Sequence, residues 1–470
     1  MKYFKLFLKN KSFLKKAMAI TIPIVLQNLL NNVLNLVDTL MIGQLGQTEI
    51  AAVGLANRVF FVFSLLMFGV CSGSGILAAQ YWGKRELLNI RRVLRMSLMI
   101  GVGCSFLFVI PGVFCPELVM SIFTPQGGTI KAGAEYLAII ALSYPLTAIS
   151  NAYIAILRSM NYVRLPVIIT SIAILVNVGF NYAMIFGHFG FPAMGVAGAA
   201  LATLIARIVE FIALIVIVHL HKPGDNGVGD FVHLKNHEMD RDRAGKRKQT
   251  YFPRTFVVKY FYTAAPVIAN EFMWGLGVTM YSLVYGRMGD EATAAITISN
   301  TIEQVALVFF FGICAAAAVI LGNELGADEL KEAEEHAKIY ILLQLILTTA
   351  GAILVFLSKE IVVSWFEITD TVADYVRLCL TVFALYMPAR MLNALFIVSI
   401  LRSGGDTKYA LFLDVTGVWL IGIPMAVLGG LILKLPIYAV YGMILLEEFY
   451  KLFLGIRRYR KKKWLKNIVA

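Results

Sequence analysis

Gln27, Asn31, Asn35 and Asp38 interrupt a run of Ile, Leu, Val and Met between Ala17 and Ile42. Their spacing of four, four and three puts them on one face of a helix, and Asn28 and Asn32 widen that face. An Asp within an apolar span is costly unless it faces protein or water. A polar stripe ending on a carboxylate therefore reads as part of a cavity wall. The competing reading places Asp38, a few residues from Gly43, near enough to the span's end to reach headgroup water. Later apolar runs hold further polar residues: Asn177 and Asn181, Thr203, Arg207 and Glu210, then Glu271, Glu303 and Arg390. Asn177 and Asn181 also suit hydrogen bonding between helices. Arg207 and Glu210, three apart, read as a structural pair, and Arg390 as a partner for Glu271 or Glu303. Asp414, near the end of its run, reads as solvated. Trp274 and Tyr386, with Tyr144, Tyr153, Met273, Tyr281 and Tyr285, offer ring faces or a thioether to flat cations. Packing or a lipid-facing position is the plainer role for any one of them.

The elements that carry these residues follow from composition. The chain has 470 residues, 59% hydrophobic and 15% charged, with mean hydropathy +0.76. Soluble domains are about one quarter charged, so this composition excludes a soluble fold and predicts an integral membrane protein. Apolar runs of about 20 residues agree. Hydropathy predicts twelve spans, near 17–42, 52–79, 93–115, 133–156, 164–187, 193–218, 260–285, 295–321, 338–357, 373–401, 409–431 and 435–456. The fold class is all-α, with a six-helix lobe over 1–218, a polar linker over 219–259, a second six-helix lobe over 260–456 and a basic tail over 457–470. The basic, amphipathic N-terminus leads into a run too long and too polar for a signal peptide, which predicts a retained first helix. Most of the 42 Lys and Arg fall in the termini and in alternate loops, so both termini are expected on the cytoplasmic side of the cell membrane. The acid-rich stretch from Glu324 to Lys338 dissents, but acids contribute little to that rule.

Cys71, Cys104, Cys115, Cys314 and Cys379 sit in or beside apolar runs without metal or redox spacing, and read as packing residues. His233, His237 and Glu238 have helical metal-ligand spacing within the linker, with nothing else to support a site. The tail RRYRKKKW at 457–464 predicts contact with anionic headgroups rather than nucleic acid.

The two halves repeat. An offset of 243 pairs Pro23 with Pro266, Gln27 with Asn270, Gly43 with Gly286, Gly46 with Gly289, Gly69 with Gly312, Gly83 with Gly326 and Pro145 with Pro388. One residue later, Leu157-Arg158-Ser159 pairs with Leu401-Arg402-Ser403. Six spans per half start both halves on the same side of the membrane. That is the parallel-repeat symmetry of two-lobed transporters.

With these features in view the chain resembles the multidrug and toxic compound extrusion (MATE) family across about Ala17 to Lys451. The resemblance rests on IPIVLQNLLNNVLNLVDTLMIGQLG (22–46), AAVGLANRV (51–59), GILAAQYWGK (75–84), LRSMNYVRLP (157–166) and LRSGGDTK (401–408). It implies a two-lobed secondary antiporter that expels organic cations or drugs in exchange for protons or sodium ions. It also implies no enzymatic activity, no cofactor beyond the coupling ion and a monomer in the lipid bilayer. For the cation site it implies Asp38, Asn177, Asn181 and Thr203, with Asn181 where the family often has a second Asp. A single carboxylate weakens sodium binding, whereas a lone desolvated Asp can carry a proton. Any metal would then be a sodium ion held transiently at Asp38. Gln27, Asn31, Asn35, Glu271, Arg390, Tyr386 and Trp274 are the further candidates for substrate contact or coupling. The tenth-helix acid of the sodium-coupled branch is absent, and Arg390 and Asn393 stand in that stretch. A lipid-linked oligosaccharide flippase of the same superfamily is the nearest alternative, and it would favour a strongly cationic cavity. A membrane enzyme would need paired acids, a His cluster or a nucleophile with its base; a channel would need no ion coupling.

Overall fold

The computed structural model describes residues 11–220, 252–366 and 368–470. His233, His237, Glu238 and most of the linker lie outside these residues. Within the bilayer no water can satisfy a free backbone group, so long apolar runs close their hydrogen bonds internally as helices. Twelve such elements follow one another. The first six are α1 (Lys11–Gly43), α2 (Gln47–Gly83), α3 (Leu87–Phe114), α4 (Gly127–Ser159), α5 (Arg164–Phe186) and α6 (Gly195–Leu220). The next five are α7 (Arg254–Arg287), α8 (Asp290–Gly326), α9 (Leu330–Val363), α10 (Asp370–Leu401) and α11 (Thr407–Ile432). The last, α12, comes in two pieces, Ile437–Ile444 and Leu446–Arg460. Among the described residues eleven helices are long and apolar enough to cross a membrane. The exception is α12, whose second piece carries Glu447, Glu448 and Lys451.

Two compact units result. The first is Leu26–Ile268; the second combines Met1–Val25 with Ala269–Ala470. The chain changes unit inside α1 and again inside α7, just beyond Pro23 and Pro266. Each proline removes one backbone donor from its helix. Glycine makes these assignments sterically possible. A Cβ on Gly69 would stand 2.7 Å from the Ile268 backbone, and one on Gly73 would stand 2.7 Å from that of Ala264, so α2 and the start of α7 touch backbone to backbone. Gly312, the repeat partner of Gly69, meets Val25 in the same way within the second unit.

The repeat is also visible in backbone geometry. Gly46 and Gly289 precede α2 and α8 with φ of +145° and +111°, a region closed to most side chains. Both helices run 37 residues and end at repeat-equivalent glycines, Gly83 and Gly326. Pro145 and Pro388 act differently. The first follows a short 3-10 turn, Ala141–Ser143, that interrupts α4; the second stays inside regular helix, and α10 loosens only later, over the π-helical stretch Leu395–Leu401. In the first unit Phe63 stacks on Tyr144 at 4.9 Å, above Met67 and Leu137, all fully buried. Tyr144 is thus a packing residue.

Part of the basic tail packs on the protein itself. Arg458 donates twice to Asp406, at 2.6 and 2.8 Å, and Lys462 bonds Glu334 at 2.6 Å. Trp464 is completely buried, and Asn467 donates to the carbonyl of Gly326. Local carboxylates, rather than lipid phosphates, satisfy these cations. The Trp464 carbonyl lies where a side chain on Gly404 would begin. Gly404→Ala should therefore dislodge the tail and destabilise the second unit by about 1–3 kcal/mol, the usual range for forced overpacking. A lower melting temperature in detergent is the expected readout.

Candidate functional site

The first unit encloses a cavity of about 430 Å³ between α1, α2, α4, α5 and α6. The i, i+4 spacing on α5 stacks Asn177 above Asn181, and the polar face of α1 supplies Asn31, Asn35 and Asp38. From α6 come Thr203, Arg207 and Glu210; α2 adds Asn57 and Ser64, and α4 adds Tyr136. All four cation-site residues named by the resemblance thus line one cavity.

Their hydrogen bonds run in sequence. The Thr203 hydroxyl donates to the Ala199 carbonyl at 3.0 Å and accepts from Asn177 Nδ2 at 3.2 Å. Asn177 Oδ1 accepts from Asn181 Nδ2 at 3.0 Å, and that same amide nitrogen donates to Asp38 Oδ1 at 2.6 Å. Asn177 and Asn181 are both buried. Within this series of hydrogen bonds, Asn181 Oδ1 is buried without a hydrogen-bond partner. The charge acting on Asp38 is that of Arg207, which is already bonded to Glu210 at 2.7 Å. Asp38 is therefore a carboxylate with a hydrogen-bond donor but no ion-pair partner of its own.

The donor set decides what could bind. A hard metal cation gathers several oxygens at once. Here the oxygens of Asn177 and Thr203 are engaged, leaving the Asp38 carboxylate and Asn181 Oδ1. A proton needs only one carboxylate and one acceptor for the resulting O–H, and Asn181 can supply that acceptor by turning its amide.

The polar stripe divides. Asn31, Asn35 and Asp38 face the cavity, but Gln27 does not line it. Gln27 is buried, accepting from Arg158 Nη2 at 2.5 Å through Oε1 and donating to Thr170 Oγ1 at 2.9 Å through Nε2. The Thr170 hydroxyl in turn donates a hydrogen bond to Glu210 Oε1 at 3.1 Å. A continuous chain thus runs from Arg158 on α4 through Gln27, Thr170 and Glu210 to Arg207. The pair read as structural, Arg207 and Glu210, is formed and also belongs to the cavity wall.

Glu271, Arg390, Tyr386 and Trp274 belong to the second unit and line no part of this cavity. Arg390 pairs with Glu303 at 2.8 Å, not with Glu271. Glu271 is held by Arg402 at 2.7 Å. The signal for that pairing is the repeat: Arg402 is the counterpart of Arg158, and the two guanidiniums reach matching places on α7 and α1. Tyr386 packs its ring on Phe449 at 5.1 Å, and Trp274 is partly exposed. Asp414 is not simply solvated: it accepts from Asn270 Nδ2 at 2.9 Å and lies 3.7 Å from Lys451. Sequence reading also passed over Glu447, Glu448 and Lys451, because a hydropathy window averages three charges into the surrounding apolar residues.

Comparison with known proteins places these features in context. The MatE family profile matches residues 23–183 and 266–428, one match in each half of the chain. An uncharacterized transporter of Bacillus subtilis, YisQ, is 23% identical over 454 residues, covering 96% of this chain and 95% of its own. A probable multidrug resistance protein of Thermotoga maritima, NorM, is 23% identical over 458 residues, covering 97% and 94%. Among solved structures, a mutant of the Vibrio cholerae MATE transporter VcmN superposes with a TM-score of 0.84 at 17% identity, covering 97% of this chain and 98% of that one.

Gln27→Leu separates the buried network from the cavity wall. It removes the acceptor of the Arg158 guanidinium and leaves the Thr170 hydroxyl with Glu210 alone, at an expected cost of about 2–3 kcal/mol for a hydrogen bond to a charged group. Thermal unfolding in detergent should show that loss, whereas Asn35→Leu, on the cavity surface, should leave the melting temperature nearly unchanged.

Proposed function

The chain belongs to the MatE family of transporters, and on that footing we propose that it is an antiporter exporting organic cations, with the proton as coupling ion. The observation that carries this reading is the lone Asp38 in the cavity of the first unit, hydrogen-bonded by Asn181 and without a counter-ion of its own. Two relatives named as probable multidrug resistance proteins, from Thermotoga maritima and Synechocystis, support a drug-like substrate. The charged groups of the wall, Asp38, Glu210 and Arg207, sum to one negative charge, which suits a cationic guest. It also speaks against an oligosaccharide flippase, which would favour a cationic cavity.

In this reading Asp38 alternates between a proton and an organic cation. Protonation removes its charge and turns the Asn181 amide from donor to acceptor. That exchange alters how α1 packs on α5 and so gives the proton a different affinity for each conformation, which is what coupling requires. Sodium fits less well, since the Asn177 oxygen already accepts from Asn181, and the Thr203 hydroxyl accepts from Asn177 and donates to the Ala199 carbonyl. The excess of Lys and Arg in alternate loops supports cytoplasmic termini, so that export runs outward across the cell membrane.

Ethidium efflux from a drug-sensitive bacterium should fall about tenfold or more in Asp38→Asn at unchanged membrane abundance. In vesicles, a pH gradient imposed alone should drive efflux. Efflux driven by a sodium gradient alone would replace the proton by sodium, and undiminished efflux by Asp38→Asn would remove Asp38 from the mechanism.

A further inference from the structure

The acids in the helices of the second unit include Glu271, Glu303, Asp414, Glu447 and Glu448. Two of them have a guanidinium each. Arg402 serves Glu271, and Arg390 serves Glu303, to which the Tyr441 hydroxyl also donates. The other three share a single ammonium. Lys451 Nζ stands 3.2 Å from Glu447, 3.7 Å from Glu448 and 3.7 Å from Asp414. Fully ionised, this group carries two surplus negative charges. Glu447, Glu448 and Lys451 are at most 6% exposed. Burial makes an uncompensated charge expensive, and such groups persist by pairing or by taking up a proton.

The amides around the cluster point the same way. Asn270 Nδ2 donates to Asp414 Oδ2 at 2.9 Å, and Asn393 Nδ2 donates to Glu448 Oε2 at 2.8 Å. Both side chains are at least 97% buried, and Asn270 Oδ1 and Asn393 Oδ1 have no hydrogen-bond partner. A carboxamide can offer N–H to an ionised carboxylate or its oxygen to the O–H of a carboxylic acid. These two amides hold the first arrangement and keep the acceptor for the second free. Asn181 does the same beside Asp38. The backbone also makes room. Gly417 and Gly422 bound a π-helical stretch of α11; a Cβ on Gly417 would stand 2.9 Å from the Lys451 stem, and one on Gly422 would displace the Tyr281 hydroxyl, which donates to Glu447 at 2.9 Å. Single π-helical turns are frequent at functional sites.

We propose that Asp414, Glu447 and Glu448, gathered around Lys451, form a second proton-binding site, separate in residues and in structural unit from Asp38. A carboxylate takes a proton from water, the cluster's charge falls by one, and an adjacent amide turns its oxygen to the new O–H. No other bond is made or broken. The groups that face the cluster are Asn270, Glu271, Tyr281 and Tyr285 on α7 and Arg390 and Asn393 on α10, with Glu303 and Arg402 paired to Arg390 and Glu271. The inference extends the transporter reading by giving it a second protonation event, yet its test needs no transport.

The full-length protein in lipid nanodiscs is titrated from alkaline to acidic buffer, and the carbonyl band of protonated carboxylic acids is followed by infrared difference spectroscopy. In Asp38→Asn a titrating band should remain, and adding Glu447→Gln and Glu448→Gln should remove the cluster's share of it, seen as a titrating band in the difference between the two proteins, where all shared carboxylates cancel. Absence of a titrating band from that difference overturns the proposal. If the Gln pair does not fold, Asn393→Leu keeps all three carboxylates and removes one amide acceptor. The band should then shift in frequency, and an unshifted band overturns the proposal. Failure of dye efflux under a pH gradient would count against the antiporter reading and leave this infrared result standing.

Discussion

A carboxylate within a membrane-spanning helix persists by one of three means: an opposite charge, a set of hydrogen-bond donors or a proton. The structure distributes its buried acids among these. Glu210, Glu271 and Glu303 each have an arginine, whose rigid fork suits buried carboxylates better than a lysine does. Glu447, Glu448 and Asp414 crowd one lysine. Asp38 has an amide donor only. The helices that carry these residues are fixed by the same demand, since each partner must arrive from a different element. Glu271 on α7 needs Arg402 from just beyond α10; Gln27 on α1 needs Arg158 from α4 and Thr170 from α5.

The duplication shows how one scaffold serves unequal chemistry. In the first unit a single residue, Gln27, both accepts from Arg158 and donates to Thr170. In the second unit the two tasks fall to neighbours: Glu271 accepts from Arg402, and Asn270 donates to Asp414. The same contacts therefore recur, with neutral acceptors in one unit and carboxylates in the other. That difference follows through to the sites. The first unit keeps an open cavity with one unpaired acid, while the second fills the corresponding helices with Tyr281, Glu447, Glu448 and Lys451 bonded among themselves. Tyr281, near the repeat position of Asp38, has become a donor to a carboxylate instead of being one.

Composition and pattern were enough for the architecture because the bilayer leaves few choices. Apolar runs of the right length must be helices, and a register of 243 residues held over Pro23, Gly46, Gly69 and Gly83 must be two copies of one unit. Asp38, Asn177, Asn181 and Thr203 were legible as a group through their resemblance to a family pattern, and Asn31 and Asn35 through helical spacing. Spacing did not separate Gln27 from that stripe, because a residue four positions from Asn31 shares its face whether the space beside it is open or filled. Filling depends on Arg158 and Thr170, which lie 131 and 143 residues away.

Which cation meets which acid was likewise decided only by tertiary structure. Arg390 had two acids within plausible reach along the sequence, and the packing of α8 against α10 gave it Glu303. Two of the tail's cations, Arg458 and Lys462, meet Asp406 and Glu334, partners that its sequence did not show. The Lys451 cluster drew no attention as sequence, since Asp414, Glu447 and Glu448 sit on two helices among apolar neighbours. Sequence alone determined that this chain is a duplicated bundle of membrane helices with a polar first helix. Pairwise electrostatics between helices distant in sequence decided which of its charges have a counter-ion and which share or lack one, because a charge's partner is set by distance in space and not by position along the chain.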